Sequence, residues 1–367
     1  MTVNNNTSAT YFSTTLGNLY HGDCLNIMKE IPDDTIDSII TDPPYALNFM
    51  GKGWDKVLPT IEIWKECLRI AKPGAIILAF GGTRTYHRLC CDIEDAGWKI
   101  KDCIMWIYGS GFPKGTDISK AIDKLSGTNR KIIGKGKGRT GKAAQPNGSS
   151  FSDDSYQWPG VYNITEPSTD EAKQFSGYST CLKPAYEPII MAIKPSDGTY
   201  AENAIEHSVA GMNIDGCRIP ILNGETPKGS GNRKGGGNTY GLKDWISENG
   251  GNITPDEGRF PTNIIHDGSD EIVNLFPDAK ARFFYCAKAS KSERGAFNNH
   301  PTVKPLSLIK YLCTLTMPPN KGIVLDPFLG SGTTAMACEQ LNRKWIGVEL
   351  DVKNYDIAIQ RLSIPTV

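Results

Sequence analysis

Short apolar runs alternate with amphipathic helical stretches at both ends of the chain, and this alternation constrains the fold more than any other feature. Residues 36–41 read as an apolar strand ending in a polar turn. Residues 59–72 place Ile61, Trp64 and Leu68 at helical spacing and stop at Lys72-Pro73-Gly74. A strand is expected over 75–80, a helix over 83–96 closed by Gly97, and a further strand over 100–108. After a long interruption the pattern returns, with helices over 306–316, 333–343 and 353–362 and strands over 322–326 and 345–349. Strands alternating with helices imply a parallel sheet joined by right-handed crossovers. The expectation is a doubly wound, mostly parallel α/β sheet assembled from both ends of the chain.

The interruption, from about residue 109 to about residue 258, is rich in glycine, serine, asparagine and lysine. Residues 127–148 carry Arg130, Lys131, Lys135, Lys137, Arg139 and Lys142 with no acid, and 228–243 carry Arg233 and Lys234 beside three consecutive glycines. Short apolar pieces at 187–193, 219–222 and 260–265 interrupt the loops. This composition reads as an insertion with mobile basic loops, or as solvated linker, and not as a second core. The 367 residues suit two domains or one large domain with such an insertion. With 40 basic and 40 acidic side chains, bulk charge gives no reason to expect a nucleic-acid coat, while a local basic face stays open. The ten cysteines include no C-x-x-C pair and five histidines are scattered, so buried reduced thiols and no metal site are expected. The polar start lacks a basic, then apolar, leader, and the apolar run 75–80 is far too short to span a bilayer, so a cytoplasmic protein is expected.

Two motifs carry chemistry. Thr41-Asp42-Pro43-Pro44-Tyr45 follows the strand 36–41, and open α/β sheets collect ligands at strand C-termini. The two prolines stiffen the turn and remove two backbone donors. Carbonyls, one carboxylate and one aromatic ring remain, a set that fits an exocyclic amino group on a flat base, although D-P-P alone also fits an ordinary proline turn. The second motif is Val324-Leu325-Asp326-Pro327-Phe328-Leu329-Gly330-Ser331-Gly332-Thr333-Thr334: a strand ending in an acid, a glycine turn, then a helix start. Its glycines admit close backbone approach. No lysine follows, which disfavours phosphate cradling, whereas Asp326 suits a cationic amino group. About twenty residues on, the next strand ends in Glu349, where an acid commonly meets ribose hydroxyls. A nucleoside with an ammonium and no phosphate describes S-adenosylmethionine. Residues 136–142 mimic both a Walker A loop and G-x-G-x-x-G, but Ala143 stands where Ser or Thr must hold magnesium, and the strand and helix context is wrong.

Together these motifs resemble the DNA amino-methyltransferases (adenine-N6 and cytosine-N4) of the permuted β class, over residues 19–362. Stretches 106–114, 183–195, 203–218, 258–268 and 282–294 look like those of phage and prophage members. The resemblance implies a circularly permuted, Rossmann-like methyltransferase fold. Its catalytic half would span 16–110, an inserted target-recognition region 111–260 and a cofactor half 261–362. Asp42, Pro43, Pro44 and Tyr45 would be catalytic. Asp326, Pro327, Phe328, Gly330 and Gly332 would hold the methionine tail of S-adenosylmethionine and Glu349 its ribose, while Asp23 and Cys24 would meet its adenine. Thr302 and Lys304, in His300-Pro301-Thr302-Val303-Lys304-Pro305, would pack against the same tail. The named lysines and arginines of the insertion would contact double-stranded DNA at its phosphates, with a few unidentified side chains reading base edges. Trp158, Tyr162 and Tyr178 are candidates to stack or wedge, or simply to pack locally.

The implied reaction is methylation of the adenine N6 amino group after base flipping. D-P-P-Y resembles the adenine type more than the S-P-P type of cytosine-N4 enzymes, which leaves cytosine-N4 as the close alternative. A chain without a Pro-Cys dipeptide lacks the nucleophile of cytosine-C5 enzymes. A catalytically inactive DNA-binding homologue, or an RNA or protein methyltransferase, are the other readings. Monomer and homodimer, and a cognate restriction enzyme or none, are equally compatible with the sequence.

Overall fold

The computed structural model describes residues 2–4, 11–46, 57–109, 115–142, 157–220, 258–276, 284–286 and 303–364. The strands are β1 (Thr2–Asn4), β2 (Tyr11–Ser13), β3 (Gly17–His21), β4 (Ile36–Thr41), β5 (Ala71–Phe80), β6 (Lys99–Ile107), β7 (Ile132–Lys142), β8 (Gln157–Thr165), β9 (Tyr186–Ile193), β10 (Ile264–His266), β11 (Tyr285–Cys286), β12 (Ile323–Asp326) and β13 (Lys344–Glu349). The helices are α1 (Cys24–Met28), α2 (Ile61–Ile70), α3 (Tyr86–Asp95), α4 (Ile118–Leu125), α5 (Asp170–Gln174), α6 (Tyr200–His207), α7 (Asp270–Val273), α8 (Leu306–Leu315), α9 (Thr333–Gln340) and α10 (Val352–Ser363). All strands but β7 and β8 join one sheet, in the order β1-β2-β3-β13-β12-β4-β5-β9-β6-β10-β11.

Period-two burial explains why both faces of the sheet are covered. Along β5, Ile76, Leu78 and Phe80 enter one core with residues of α8, α9 and α10, while Ala75, Ile77 and Ala79 enter the other with residues of α1, α2 and α3. Helix α2 turns Trp64, Cys67 and Ile70 inward at three-residue spacing. The sheet is therefore doubly wound, as expected. From β4 the chain crosses over to β5 on one side, and from β12 to β13 on the other. Because β4 and β12 are parallel neighbours, the winding reverses between their C-terminal ends, and a cleft opens there.

Three expectations are corrected. Residues 187–193 are not a piece within loops: they lie in β9, antiparallel to both β5 and β6 in the middle of the sheet. Ile189, Met191 and Ile193 face one core and Ile190 and Ala192 the other, a run that only a strand covered on both faces can bury. The sheet is consequently mixed, with an antiparallel edge at β1, β2 and β3 as well. Secondly, residues 132–142 are not a loop but one arm of the β7–β8 ribbon, a context that agrees with rejecting a phosphate loop at 136–142. Thirdly, Arg130 is not a free cation for DNA. Its guanidinium donates to Asp123 at 3.0 Å, Ser119 at 3.0 Å and Thr165 at 3.1 Å, and its side chain is only 14% exposed, so it braces α4 against β8.

A second buried arginine ties the two ends of the chain together. Arg343, fully buried, donates to the carbonyls of Cys313 at 2.7 Å and Thr316 at 3.2 Å and to Ser38 Oγ of β4 at 2.8 Å. Replacing it by Met would strip the buried Cys313 and Thr316 carbonyls of this donor. Arg343→Met is expected to cost about 2–4 kcal/mol of stability, read from the shift of the urea-unfolding midpoint.

Candidate active site

The cleft at the reversal point encloses about 710 Å³, within the range of sites that hold small cofactors. Its wall includes Asp42, Pro43, Pro44 and Tyr45 after β4, and Asp326, Pro327, Phe328 and Gly330 after β12. Glu349 at the end of β13, and Asp23 and Cys24 at the start of α1, complete one side. The structure thus gathers most of the residues singled out by sequence into one cavity. Gly332 does not line the cavity, although its neighbours Ser331 and Thr333 do, and Thr302 falls outside the described residues.

The half built on β12 suits a polar nucleoside with a cationic tail. Asp326 is buried and accepts from the Thr41 hydroxyl at 2.7 Å and from the Phe328 amide at 3.1 Å; Thr334 bonds it as well. Burial pushes its carboxyl up to about 7, against the pull of those donors. A carboxylate held by neutral donors alone gains from a cation placed against it. Gly330 and Gly332 turn the loop at φ 57° and 86°, in the left-handed region, so the chain can bend sharply into α9. Arg361, buried under this turn, donates to the Ser331 carbonyl at 2.6 Å and to Thr333 at 3.1 Å. Glu349 accepts from the amides of Gly330 at 2.8 Å and Asp351 at 2.7 Å, one on each oxygen. Asp23 caps α1 by accepting from the Asn26 amide at 3.1 Å, which brings its carboxylate to the rim.

The half built on β4 carries a different charge arrangement. The Tyr45 hydroxyl donates to Asp42 Oδ1 at 2.5 Å, and Thr85 Oγ1 donates to the Tyr45 carbonyl at 2.7 Å. Gly82 lies so close that a Cβ there would stand 3.2 Å from the Tyr45 side chain, so any larger residue would press on the ring. Lys304 brings its ammonium to Asp42 Oδ2 at 2.6 Å and to Glu187 Oε2 at 3.1 Å, over the rings of Phe80 and Tyr45 at 4.8 and 5.5 Å. Burial opposes the lysine's charge, but the carboxylates of Asp42 and Glu187 outweigh it and hold its pKa above the ordinary range. Burial, then the same two carboxylates, push the Tyr45 phenol well up, so it stays protonated.

Sequence reasoning gave Glu187 no role. It is the second residue of β9, and a strand antiparallel to β5 and β6 begins at the edge where those two end, which is how the acid reaches the cavity. The available signal was one acid at the head of an otherwise apolar run. Lys304 was expected beside the cofactor tail, yet its ammonium sits on Asp42.

The basic residues distribute unevenly. Lys135 and Lys137 are exposed on β7, and Lys131 is exposed but paired with Glu166 at 3.1 Å. Arg139 and Lys142 lie on β7, whereas Arg233 and Lys234 fall outside the described residues. Tyr162 and Tyr178 are exposed, and Tyr178 packs edge-on against Phe175 at 5.6 Å. No group of three potential metal-ligating side chains is found among the described residues, and no helix there is long and apolar enough to cross a membrane.

Comparison with known proteins places this geometry. Residues 36–360 match the family model of N6/N4 methyltransferases, described as DNA methylase. The chain is 24% identical to the type II methyltransferase M.HindIII of Haemophilus influenzae, over 94% of this chain and 95% of that protein. It is 25% identical to the DNA adenine methyltransferase YhdJ of Escherichia coli, over 97% and 85%. Among solved structures, the cytosine-N4-specific PvuII DNA methyltransferase shares the fold, with a TM-score of 0.50 and 14% identity over 97% of this chain and 89% of that one. With nearly its whole length matched by the family model, and its two motif turns meeting in one cleft, the chain belongs to the N6/N4 DNA methyltransferase family.

Proposed function

We propose that the protein is a site-specific methyltransferase of the permuted β class and of phage or prophage type. It acts on double-stranded DNA in the bacterial cytoplasm and methylates the adenine N6 amino group at the expense of S-adenosylmethionine. One observation carries this reading: the Asp42 turn and the Asp326 turn open into the same cavity from adjacent strands. The order of the motifs along the chain, Asp42 before Asp326, supports the permuted class. Adenine is favoured by Asp at the head of the P-P-Y turn and by the likeness to YhdJ. Cytosine-N4 is the second reading, supported by the shared fold with the PvuII enzyme, since both reactions present an amino group in the same way.

The residues fit the cofactor by the chemistry of their donor set. Asp23 and Cys24 would line its adenine, Glu349 would take ribose hydroxyls, and Asp326 with the Gly330 and Gly332 turn would hold the charged tail. Thr302 is proposed to lie against the same tail. Pro327 and Phe328 would form the apolar wall, with the Phe328 ring braced by Trp64 at 6.2 Å. S-adenosylmethionine, when bound, supplies a methyl group activated by its sulfonium. The chain's part is alignment. Asp42 and the Pro43 carbonyl would each accept one amino proton, which points the nitrogen lone pair toward the Asp326 side of the cavity. Pro44 stiffens the turn, and Tyr45 would stack on the base. Flipping the nucleotide costs a few kcal/mol. Holding reactants in an attack geometry is the larger effect, and it is lost when the turn is altered.

DNA would be held electrostatically by the β7–β8 ribbon. Lys135 and Lys137 stand two residues apart on one strand, hence on one face, and are proposed to meet phosphates together with Lys131, Arg139, Lys142, Arg233 and Lys234. The paired Arg130 supports the ribbon from behind.

Asp42→Ala is expected to lower methyl transfer to unmethylated DNA at least about 100-fold, while the Kd for S-adenosylmethionine stays within about twofold. Mass analysis of the digested product identifies N6-methyladenine or N4-methylcytosine, and methyl transfer that prefers RNA or protein would reject the reading. Below a pKa of about 7 Asp326 is protonated and neutral, so cofactor affinity should fall as pH drops. Binding is expected to be several-fold tighter at about pH 7.5 than at about pH 6, and Asp326→Asn should weaken it and flatten this dependence, measured by titration calorimetry. DNA affinity should fall steeply with salt, and the double variant Lys135→Ala, Lys137→Ala should reduce the slope of log K against log salt by about 2.

A further inference from the structure

Two carboxylates, one phenol and one ammonium converge where the target base is proposed to enter. Lys304 donates to Asp42 Oδ2 at 2.6 Å, to Glu187 Oε2 at 3.1 Å and lies 3.3 Å from the Tyr45 hydroxyl. That hydroxyl in turn donates to Asp42 Oδ1 at 2.5 Å and lies 3.4 Å from Glu187 Oε2. In this structure, then, the oxygens of Asp42 are taken by a cation and a phenol. An incoming amino group is a neutral and weaker donor than an ammonium. It can take the position the ammonium holds on Asp42 Oδ2 only when the lysine gives that position up. The lysine side chain is only 8% exposed and enclosed by the Phe80 and Tyr45 rings, so it has no easy exit to water. A buried ammonium stripped of every anionic partner is strongly disfavoured. Glu187 removes that difficulty, because it already touches the same nitrogen.

We propose that Lys304 and Glu187 form an exchange device for the target amino group: Lys304 fills its place on Asp42 when no base is present, and Glu187 retains the ammonium when the base arrives. This rests on the methyltransferase reading above and adds Glu187 to it as a positioning residue. The exchange needs no movement of the backbone. An ammonium has three donors on a rotatable stem, and a shift of its balance from one carboxylate to the other suffices. The device keeps Asp42 charge-balanced in the resting enzyme, and it withholds the acceptor from any group too weakly placed to displace the lysine. The location of Glu187 makes this possible: β9 runs antiparallel between β5 and β6, so its first residues stand at the cavity edge opposite the Asp42 turn.

The test measures kcat, KM for DNA and the cofactor Kd with tritiated S-adenosylmethionine and unmethylated phage λ DNA. Glu187→Gln removes the second anion and should trap Lys304 on Asp42. It should lower kcat about tenfold while the cofactor Kd, read by calorimetry, stays within about twofold. Glu187→Asp, which keeps the charge, should recover part of the loss. The double variant Lys304→Met, Glu187→Gln has no ammonium left to trap and should be more active than Glu187→Gln alone. A purely structural Glu187 predicts the opposite, because a second buried change would only add damage. Unchanged kcat in Glu187→Gln, or a double variant no more active than that single one, overturns the proposal. If the double variant does not fold, Glu187→Asp no better than Glu187→Gln overturns it. A wild-type enzyme that transfers no methyl group to DNA while still binding the cofactor would instead reject the methyltransferase reading itself, and this device with it.

Discussion

The structure turns on the seam between β4 and β12. These strands come from opposite ends of the chain and pair in parallel, Val324 with Ser38 and Leu325 with Ile39. At their C-terminal ends the Thr41 hydroxyl donates to Asp326 at 2.7 Å, joining the first residue of one motif to the first acid of the other. Beneath the seam, Arg343 binds Ser38 and the carbonyls that end α8. The Asp37 carboxylate accepts from Lys72 at 2.8 Å and from the Ile323 amide at 2.6 Å, which fastens the start of β12 to β4. The winding of the sheet reverses here, so no helix crosses over the strand ends, and the cleft is what that reversal leaves open.

Two acids in this cleft are treated in opposite ways. Asp326 is buried with neutral donors as its partners, and burial raises its pKa against their pull. Asp42 has its cation already, in Lys304, and a phenol besides. This division is consistent with the proposed roles, one lobe for a charged cofactor tail and the other for a neutral amine. Glu349 stands between these extremes: burial raises its pKa, while backbone amides of Gly330 and Asp351 occupy one side of each oxygen.

The region between the two motif halves is less separate than its composition suggests. Its strand β9 is woven into the centre of the sheet, so it contributes to the core and to the cavity wall together. Only parts such as the β7–β8 ribbon stand outside the sheet. The helix α4 and the turn before α5 hold that ribbon through Asp123, which accepts from Arg130, Ser168 and Thr169, each at 3.0 Å. A basic surface built on a braced ribbon would lose less conformational freedom on binding a polyanion than a loose loop of the same charge.

Much of this was readable from residue order. The six-residue strand Ile36–Thr41 and the helix starting at Leu306 follow from apolar periodicity, and Asp42, Tyr45, Asp326 and Glu349 stand out because strand ends, prolines and glycines have local physical consequences. Where local signals were mixed, the reading slipped. The start of β5 at Ala71 was hidden by Pro73 and Gly74, and β7 by its alternating glycines and lysines. Which strand neighbours which is not a local property. Tertiary structure alone decided that β9 runs backwards through the sheet, that Glu187 thereby meets Lys304 and Asp42, and that Arg130 is spent on Asp123. The sequence by itself determined most elements at the two ends of the chain and the chemistry at their termini, because periodicity and turn residues act over a few positions. Pairing between distant strands, and the charge contacts that depend on it, emerged only when burial of all apolar faces had to be satisfied at once.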